Sequence, residues 1–458
     1  MNKTLLKCTG AAALGGLLFG YDTVIINGAM LDLVRHFQLT PAVQGWTVSS
    51  ALVGCLIGAI LIGKPGDIFG SQRLLQLLAV LFFVSSTGCA LAPSISVFIL
   101  FRFIGGLAIG GSSVLCPVYI SEISPPKHRG FLASTFQLAI VTGILLSLIS
   151  NYLLLNTGVN NWRWMLFSGA IPAVIFFVML FFIRKSPRWL VKKGRIEEAR
   201  DNIKALSSGE LDVEQTVEEI RESISLENAG KKVKLFKRPY RRIIIIGIFV
   251  GIFSQLTGIG VVFYYSAQIF SIAGFSPDTS VLQSVILGVT NLVFTVIAMS
   301  VIDKVGRKKL LLTGQLGMVT VLALFGYGLL SGNIRGYWLV VLLVSYIAFF
   351  ASSMGVVIWV ILSEMFPNII RARGASLGSF ANWATSATLN FLFPVVVGLF
   401  GSTLAQQQKG MSFAFIFLAA LTLIGYFYIK RNLIETKGKT LERIEKKLFT
   451  RICPWASQ

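Results

Sequence analysis

Two oppositely charged side chains lie inside long apolar stretches of this chain. Asp22 is about midway along the stretch 10–30, and Arg102 is in the stretch 96–119. A carboxylate at such a depth in hydrocarbon is costly and rarely without purpose. A carboxyl group that alternately faces apolar surroundings and a cation can take up and release a proton, because the two environments favour opposite protonation states. Asp22 is therefore a candidate proton carrier with Arg102 as its cation; the alternative is a structural partner for a buried hydroxyl or a helix end.

Two further charged motifs occur twice along the chain. The segment from Ser121 to Gly130 returns as Ser363 to Gly374, 242 residues later, and the Asp67 loop returns at Asp303, 236 residues later. Each Ser-Glu copy follows one apolar stretch and precedes another. The chain is therefore predicted to consist of two related halves, an arrangement that in membrane proteins places a small-molecule site between the halves near the bilayer midplane.

The elements that position these residues must be membrane helices. The chain has 458 residues, of which 54% are hydrophobic and 13% charged, whereas a soluble domain carries about 25% charged residues. The excess apolar surface is expected to face lipid. Each spanning helix needs about 20 apolar residues. Twelve stretches qualify: 10–30, 45–66, 73–93, 96–119, 131–153, 164–183, 243–268, 278–302, 309–331, 336–361, 374–398 and 411–430.

The net charge of +21 sets the predicted orientation of these helices. Sixteen Lys and Arg residues lie in 184–242 and eight from Lys430 onward, while the opposite loops hold few, chiefly Arg35, Arg335 and Lys409. This asymmetry predicts that both termini are cytoplasmic. It also argues against a nucleic-acid partner, although contact with anionic membrane lipid is expected.

The predicted organisation follows from these stretches. A six-helix bundle at 1–183 precedes cytoplasmic linker helices at 184–242, a second six-helix bundle at 243–430 and a cytoplasmic tail at 431–458. The linker is too short for an ordinary enzyme core. The sequence offers no Ser-His-Asp set or phosphate loop, and its five cysteines and two histidines lack metal-ligand spacing, so neither an enzyme nor a metal site is predicted.

Several motifs, taken together and in order, resemble the sugar porter family of the major facilitator superfamily over nearly the whole chain. They are Arg102 before a Gly-rich fourth span, Tyr119–Ile120–Ser121–Glu122 with Arg129–Gly130, Ser186–Pro187–Arg188–Trp189–Leu190, Gln255–Leu256–Thr257–Gly258–Ile259 with Tyr264–Tyr265, Asp303–Lys304–Val305–Gly306–Arg307, Ser363–Glu364–Met365–Phe366–Pro367 and Glu435–Thr436–Lys437–Gly438–Lys439–Thr440. The resemblance implies an all-α membrane protein with the major facilitator fold. Within this family, the chain is most similar in its motifs to bacterial proton–xylose and proton–glucose symporters.

The resemblance also implies roles for particular residues. Asp22 and Arg102 match the pair that couples proton movement to transport, and passive members of the family lack the aspartate. A neutral sugar needs amide donors and acceptors together with aromatic faces. The residues that match the family's substrate site are Gln137, Ser254, Gln255, Gly260, Tyr264, Tyr265, Asn291, Trp359, Asn382 and Trp383.

Three of these substrate-site residues depart from the family's usual pattern. Ser254 replaces a glutamine, Gly260 replaces an asparagine, and Asn382 replaces a glutamine. A roomier site with fewer hydrogen-bonding groups is expected. The substrate prediction is therefore widened from glucose or xylose to other pentoses, polyols and cyclitols such as inositol.

A cytoplasmic gate is predicted from the charged loop motifs. Its residues are Asp67, Arg73, Glu122, Arg129, Asp303, Arg307, Glu364, Arg371 and Arg373. Glu122 is expected to pair with Arg129, and Glu364 with Arg371, Arg373 and Arg307. Exposed ion pairs contribute only about 0–1 kcal/mol, so only a partly buried network would bias a gate. The first-half copy lacks the basic residues found at Lys304 and Arg307, and Arg73 is expected to compensate.

These observations predict a transporter that imports a monosaccharide or related polyol by proton symport through alternating access. A passive facilitator with the same site, and an inositol or polyol symporter, are the alternatives. A sugar sensor is disfavoured because the tail past the last span is short. The protein is expected to act as a monomer in the bacterial cytoplasmic membrane, with the proton as coupling ion and no cofactor.

Overall fold

The computed structural model describes residues 2–125, 128–207, 212–230, 235–236, 240–332, 334, 336–366, 370–433, 435 and 437, without the side chains of 129, 226–230, 363–364 and 371–372. Most of the described chain is helical. The helices are α1 (Lys3–Phe37), α2 (Pro41–Leu61), α3 (Gly63–Phe69), α4 (Ser71–Leu91), α5 (Ile95–Ile123), α6 (Arg129–Leu154), α7 (Asn161–Ser168), α8 (Ala170–Met179), α9 (Pro187–Lys192), α10 (Ile196–Ser207), α11 (Val213–Gly230), α12 (Arg241–Gln255), α13 (Ile259–Ile272), α14 (Pro277–Val305), α15 (Arg307–Ser331), α16 (Tyr337–Ala351), α17 (Met354–Glu364), α18 (Arg371–Leu399) and α19 (Leu404–Asn432).

Twelve segments of the described chain are long and apolar enough to cross a membrane, so the predicted number of spans is confirmed. They are Lys3–Phe37, Pro41–Leu61, Ser71–Leu91, Ile95–Ile123, Gly130–Leu154, Asn161–Met179, Arg241–Ile272, Pro277–Val305, Arg307–Ser331, Tyr337–Leu362, Arg373–Leu399 and Leu404–Asn432. The polar residues within 278–302 do not interrupt α14. Hydropathy alone located these helices because a span needs about 20 apolar residues wherever it occurs.

The seventh span is broken, although the sequence predicts one continuous helix at 243–268. Helix α12 ends at Gln255 and α13 begins at Ile259. Between them Gly258 has φ +87°, a left-handed conformation that glycine adopts without steric cost. The carbonyl of Thr257 accepts a hydrogen bond of 2.8 Å from the hydroxyl of Tyr346 on α16. A broken helix is tolerated at membrane depth when neighbouring helices satisfy its freed backbone groups in this way.

The predicted short helices of the linker are present as α9, α10 and α11. Ser186 caps α9 by accepting a hydrogen bond from the backbone N–H of Trp189, and Pro187 occupies the first helical position, where a missing N–H costs nothing. A small apolar core holds the three helices together; it contains Leu190, Val191, Ala199, Ile203 and Val217. Burial of these side chains on one face of each helix accounts for their amphipathic sequences.

The chain divides into two compact units. The first unit comprises Met1–Gln38 and Trp46–Asn228, and the second comprises Leu39–Gly45 and Ala229–Gln458. The domain boundaries expected from the sequence are set by the positions of the membrane spans, whereas these two units are defined by which residues pack together. The linker helices therefore group with the first unit.

Paired glycines bring helix backbones together inside the first unit. On α5, a Cβ at Gly106 would lie 2.0 Å from the carbonyl oxygen of Ala51, and one at Gly110 would lie 2.0 Å from that of Cys55. On α2, a Cβ at Gly54 or Gly58 would meet a carbonyl of α5 at 2.4 Å. Each helix thus contributes a pair of glycines four residues apart, which permits the close approach that small residues provide in membranes. This packing fixes α5, and with it Arg102.

Candidate functional site

The predicted pair of Asp22 and Arg102 is formed within the first unit. Nη1 of Arg102, on α5, lies 3.4 Å from Oδ2 of Asp22 and donates over 3.2 Å to the backbone carbonyl of the same residue, on α1. Arg102 is 1% exposed and Asp22 is 6% exposed. A charge buried to this extent is stable only when it is paired and hydrogen-bonded. The two groups therefore form a closed ion pair inside the bundle.

The hydrogen-bonding capacity of Arg102 is not used up by Asp22. Its Nε and Nη2 atoms are buried and have no hydrogen-bond partner among the described residues. The carboxylate is closely confined, since a Cβ at Gly105 would lie 3.3 Å from Oδ2 of Asp22 and 2.4 Å from Oγ of Ser85. A guanidinium with unused donors therefore lies beside a confined carboxylate.

Three predicted substrate residues meet in the second unit. Nδ2 of Asn382, on α18, donates to Oγ of Ser254 over 2.6 Å and to the carbonyl of Gly251 over 3.4 Å. Its Oδ1 accepts a hydrogen bond of 3.3 Å from Nε2 of Gln255. Ser254 and Gln255 end α12, next to the break in the seventh span. The structure therefore joins α12 to α18 through side-chain amides and a hydroxyl at this break.

The position of Gly260 is occupied from a neighbouring helix. A Cβ built on Gly260 would lie 2.6 Å from Nδ2 of Asn390, on α18. The space beside this glycine is therefore filled by a second amide in this structure, although a roomier site was expected here. Tyr265 lies nearby on α13 and is fully buried, and its hydroxyl donates to the backbone carbonyl of Asn390 over 2.8 Å. Its ring packs against Phe393, with the centroids 5.3 Å apart.

The other predicted substrate residues lie on several helices. Gln137 is half-buried on α6 in the first unit. In the second unit, Asn291 is buried on α14, Tyr264 on α13 and Trp383 on α18. Trp359, on α17, is 40% exposed. Hydrogen bonds connect Ser254, Gln255 and Asn382, and the contact between Gly260 and Asn390 involves a residue that the sequence did not indicate.

The charged residues of the predicted first-half gate contact the linker helices. Oε1 of Glu122 lies 3.9 Å from Nε of Arg188 on α9. Oδ1 of Asp67 lies 2.7 Å from Nζ of Lys192 on the same helix. Arg73 is exposed on α4. The expected pairing of Glu122 with Arg129 is not tested, because the side chain of Arg129 lies outside the described residues. The contact of Glu122 with Arg188 was not suggested by the sequence.

In the second unit, the corresponding loop is closed by a carboxylate from the segment after α19. Glu435 accepts hydrogen bonds of 3.0 Å from the backbone N–H groups of Arg307 and Lys308, at the start of α15. Arg307 also pairs with Asp303 at 2.9 Å. A carboxylate at this position satisfies free N–H groups and complements the helix dipole. Arg373 is half-buried on α18, whereas the side chains of Glu364 and Arg371 lie outside the described residues.

Comparison with known proteins identifies the chain. A family model described as "Sugar (and other) transporter" matches residues 8–448. The chain belongs to this family of sugar transporters. This sugar transporter is 35% identical to the arabinose-proton symporter of Bacillus subtilis (strain 168), with 96% of this chain and 94% of the relative covered. It is 37% identical to the D-xylose transporter of Levilactobacillus brevis, with 95% and 94% covered.

A solved structure confirms the fold of the sugar transporter. The proton:xylose symporter XylE, a protein of the major facilitator superfamily bound to 6-bromo-6-deoxy-D-glucose, superimposes with a TM-score of 0.80 at 34% identity, with 97% of this chain and 99% of XylE covered. The predicted all-α membrane protein with the major facilitator fold is therefore correct. The protein is a transporter, as expected, and not an enzyme.

Two contacts of the sugar transporter were not predicted but carry a signal in the sequence. Asn390 is a second asparagine inside the membrane-spanning helix α18, eight residues after Asn382 and about 80° round the helix from it. Arg188 stands in the linker motif that follows the sixth span. The sequence positions of Asn390 and Arg188 do not indicate which residues they contact, because each contact joins two elements that are distant in sequence.

Proposed function

We propose that this protein imports a monosaccharide or a related polyol by proton symport through alternating access. The observation that carries the proposal is the buried ion pair of Asp22 with Arg102, at 3.4 Å. An acidic side chain inside a membrane bundle and paired with a cation marks a proton or ion pathway. The similarity to an arabinose-proton symporter and to a proton:xylose symporter supports the same coupling. The proton is the coupling ion and no cofactor takes part.

Asp22 takes up the proton in this proposal. While the carboxylate is ionised, Arg102 holds it. Protonation removes the negative charge, weakens the contact of 3.4 Å and lets α1 move relative to α5. Sugar binding and protonation together would then permit the loaded carrier to reorient, because a ligand shifts a conformational equilibrium by its differential affinity for the two states.

The test uses the purified protein in liposomes with an imposed proton gradient. We expect Asp22→Asn to abolish uphill accumulation of the sugar while leaving exchange of labelled for unlabelled sugar in place. Asp32→Asn, ten residues further along α1, is the matched control and retains accumulation. Full accumulation by the Asp22→Asn variant would refute the role of Asp22.

Passive facilitation is distinguished by proton movement. A lightly buffered suspension of cells that express the protein becomes alkaline when the sugar is added only if protons enter with it. A sugar-dependent influx with no alkalinisation would indicate a uniporter.

The proposed substrate is a sugar, a polyol or a cyclitol. The proposed binding residues are Gln137, Ser254, Gln255, Gly260, Tyr264, Tyr265, Asn291, Trp359, Asn382 and Trp383. A thermal-shift screen of the purified protein against such a panel identifies the ligand, because a ligand stabilises the state that it binds. The relatives favour pentoses and hexoses as the first compounds to test.

The protein is a multi-pass protein of the bacterial plasma membrane. We further propose that both termini are cytoplasmic, that the monomer is the working unit, and that the domains are 1–183, 184–242, 243–430 and 431–458. The proposed cytoplasmic gate consists of Asp67, Arg73, Glu122, Arg129, Asp303, Arg307, Glu364, Arg371 and Arg373. Cysteine labelling of the linker from the cytoplasmic side, and light scattering of the detergent-solubilised protein, test orientation and oligomeric state.

A further inference from the structure

Gly260 and Asn390 share one small volume in the second unit. The Nδ2, Cγ and Oδ1 atoms of Asn390 lie 2.6, 3.4 and 3.4 Å from the point at which a Cβ of Gly260 would stand. At position 260 of α13, no residue larger than glycine fits unless the Asn390 amide on α18 moves. The polar group at this point is therefore the Asn390 amide of α18, and α13 contributes none.

One hydrogen-bonding atom of the Asn390 amide has no partner among the described residues. Its Nδ2 donates to the carbonyl of Ser386 over 2.8 Å. Its Oδ1 is buried and, among the described residues, accepts no hydrogen bond. An unpaired buried acceptor is unfavourable and needs an explanation, such as a ligand that supplies the missing donor. The side chain is 1% exposed, so water does not readily satisfy it in this conformation.

The backbone around Asn390 is held in place, which fixes where its amide lies. The hydroxyl of Tyr265 donates to the Asn390 carbonyl over 2.8 Å, and this bond sets the height of α18 against α13. Gly260 is half-buried, whereas its neighbours Ile259 and Val261 are buried. The face of α13 that carries Gly260 is therefore the more open one.

Asn390 also lies on the same helix as an amide already proposed to bind sugar. Asn382 is eight residues earlier on α18, about two helical turns away and about 80° round the helix. Asn382 contacts both Ser254 and Gln255. Helix α18 thus carries buried amides both in the Asn382 cluster and at Asn390.

We propose that Asn390 is a sugar-binding and specificity-determining residue, whose Oδ1 accepts a hydrogen bond from one hydroxyl of the transported sugar. This inference rests on the proposed function. A site that is built to hydrogen-bond a hydroxyl discriminates strongly against an analogue that lacks it, because the buried polar group is then left unpaired. Asn390 would therefore set which monodeoxy sugars are rejected.

The first experiment measures the dissociation constant of the sugar found in the screen, and of its monodeoxy analogues, for the wild type and for Asn390→Leu. Leucine has the same number of side-chain heavy atoms in a similar branched shape but lacks the acceptor Oδ1 and the donor Nδ2. We expect at least a tenfold weaker binding of the parent sugar, and for one deoxy analogue equal binding by the two proteins. Thr388→Ala, which removes an exposed hydroxyl from the same helix, is the control and binds as the wild type does.

The second experiment returns the amide to α13. Gly260→Asn alone is expected to weaken binding, because the new side chain would collide with Asn390. Gly260→Asn combined with Asn390→Ala is expected to bind more tightly than Asn390→Ala alone. Thermal unfolding without sugar establishes that the variants fold.

The possible outcomes separate a failure of this inference from a failure of the proposed function. If Asn390→Leu folds and leaves the affinities for parent and deoxy sugars in their wild-type ratios, Asn390 has only a packing role and the inference fails while the proposed function stands. If the wild type binds and transports no sugar, polyol or cyclitol, the proposed function fails and this inference with it.

Discussion

The amide nitrogen of Asn382 donates to the hydroxyl of Ser254 over 2.6 Å, and that hydroxyl donates in turn to the carbonyl of Gly251 over 2.7 Å. Both residues depart from the sugar porter pattern, and the structure shows that they are partners. A shorter side chain on α12 is thus matched by a shorter one on α18. The remaining oxygen of Asn382 holds Gln255, so the pair fixes the orientation of that glutamine.

The first prediction concerns this pair. We expect Asn382→Ala to weaken sugar binding about fivefold, because Gln255 loses the acceptor that orients it and one net hydrogen bond is worth about 1 kcal/mol. Ser254→Ala should have a smaller effect. A double-mutant cycle on the dissociation constants should give a coupling of about 1 kcal/mol, since the two side chains are in direct contact. Strictly additive effects would show that the contact does not matter for binding.

The second prediction concerns the stability of the ion pair. Arg102→Met leaves the Asp22 carboxylate buried without its cation, a change that costs about 3–5 kcal/mol when such a pair is broken from one side. Adding Asp22→Asn removes the stranded charge, so the double variant should recover most of the loss. Thermal unfolding of the purified proteins in detergent measures both effects. If the double variant unfolds as early as Arg102→Met, the loss comes from packing and not from the uncompensated charge.

The sequence predicts those features that depend on local composition. Twelve spans follow from hydropathy, and Asp22 and Arg102 attract attention because a charge in hydrocarbon needs a partner. Their pairing follows from the sequence, since few other charges are available at that depth. The linker helices were predictable for a related reason, because their amphipathic pattern is visible over one or two turns.

The features that the sequence did not predict depend on how distant helices pack. The break at Gly258 exists because Tyr346, 88 residues later, satisfies the carbonyl of Thr257. Gly260 alone indicates an enlarged site, and only the position of α18 shows that Asn390 fills it. Glu122 also contacts Arg188, which the linker helices bring to it and which lies 66 residues away in sequence.

The third prediction concerns the carboxylate at the start of α15. Glu435→Ala removes the acceptor for the N–H groups of Arg307 and Lys308, and loss of such a cap typically costs about 0.5–2 kcal/mol. Glu435→Gln should cost less, because it keeps one acceptor oxygen while losing the charge that complements the helix dipole. Glu222→Ala, at an exposed position of α11, is the control. The order of the unfolding temperatures, with Ala lowest and Gln intermediate, is the expected result; equal temperatures for Glu435→Ala and the control would contradict it.

The fourth prediction concerns the contact that holds α5 against α2. Gly110→Ala places a Cβ 2.0 Å from the carbonyl oxygen of Cys55, a distance that no relaxed structure keeps, so the two helices must separate. Overpacking of this kind typically costs about 1–3 kcal/mol, and because α5 carries Arg102, the separation also disturbs its contact with Asp22. We therefore expect a lower unfolding temperature together with weaker proton-driven accumulation. Gly10→Ala on α1 is the matched control, since a Cβ there meets no atom within 4 Å and alanine favours a helix over glycine by up to about 1 kcal/mol. Wild-type stability and accumulation in Gly110→Ala would show that the backbones of α2 and α5 are not in the close contact described.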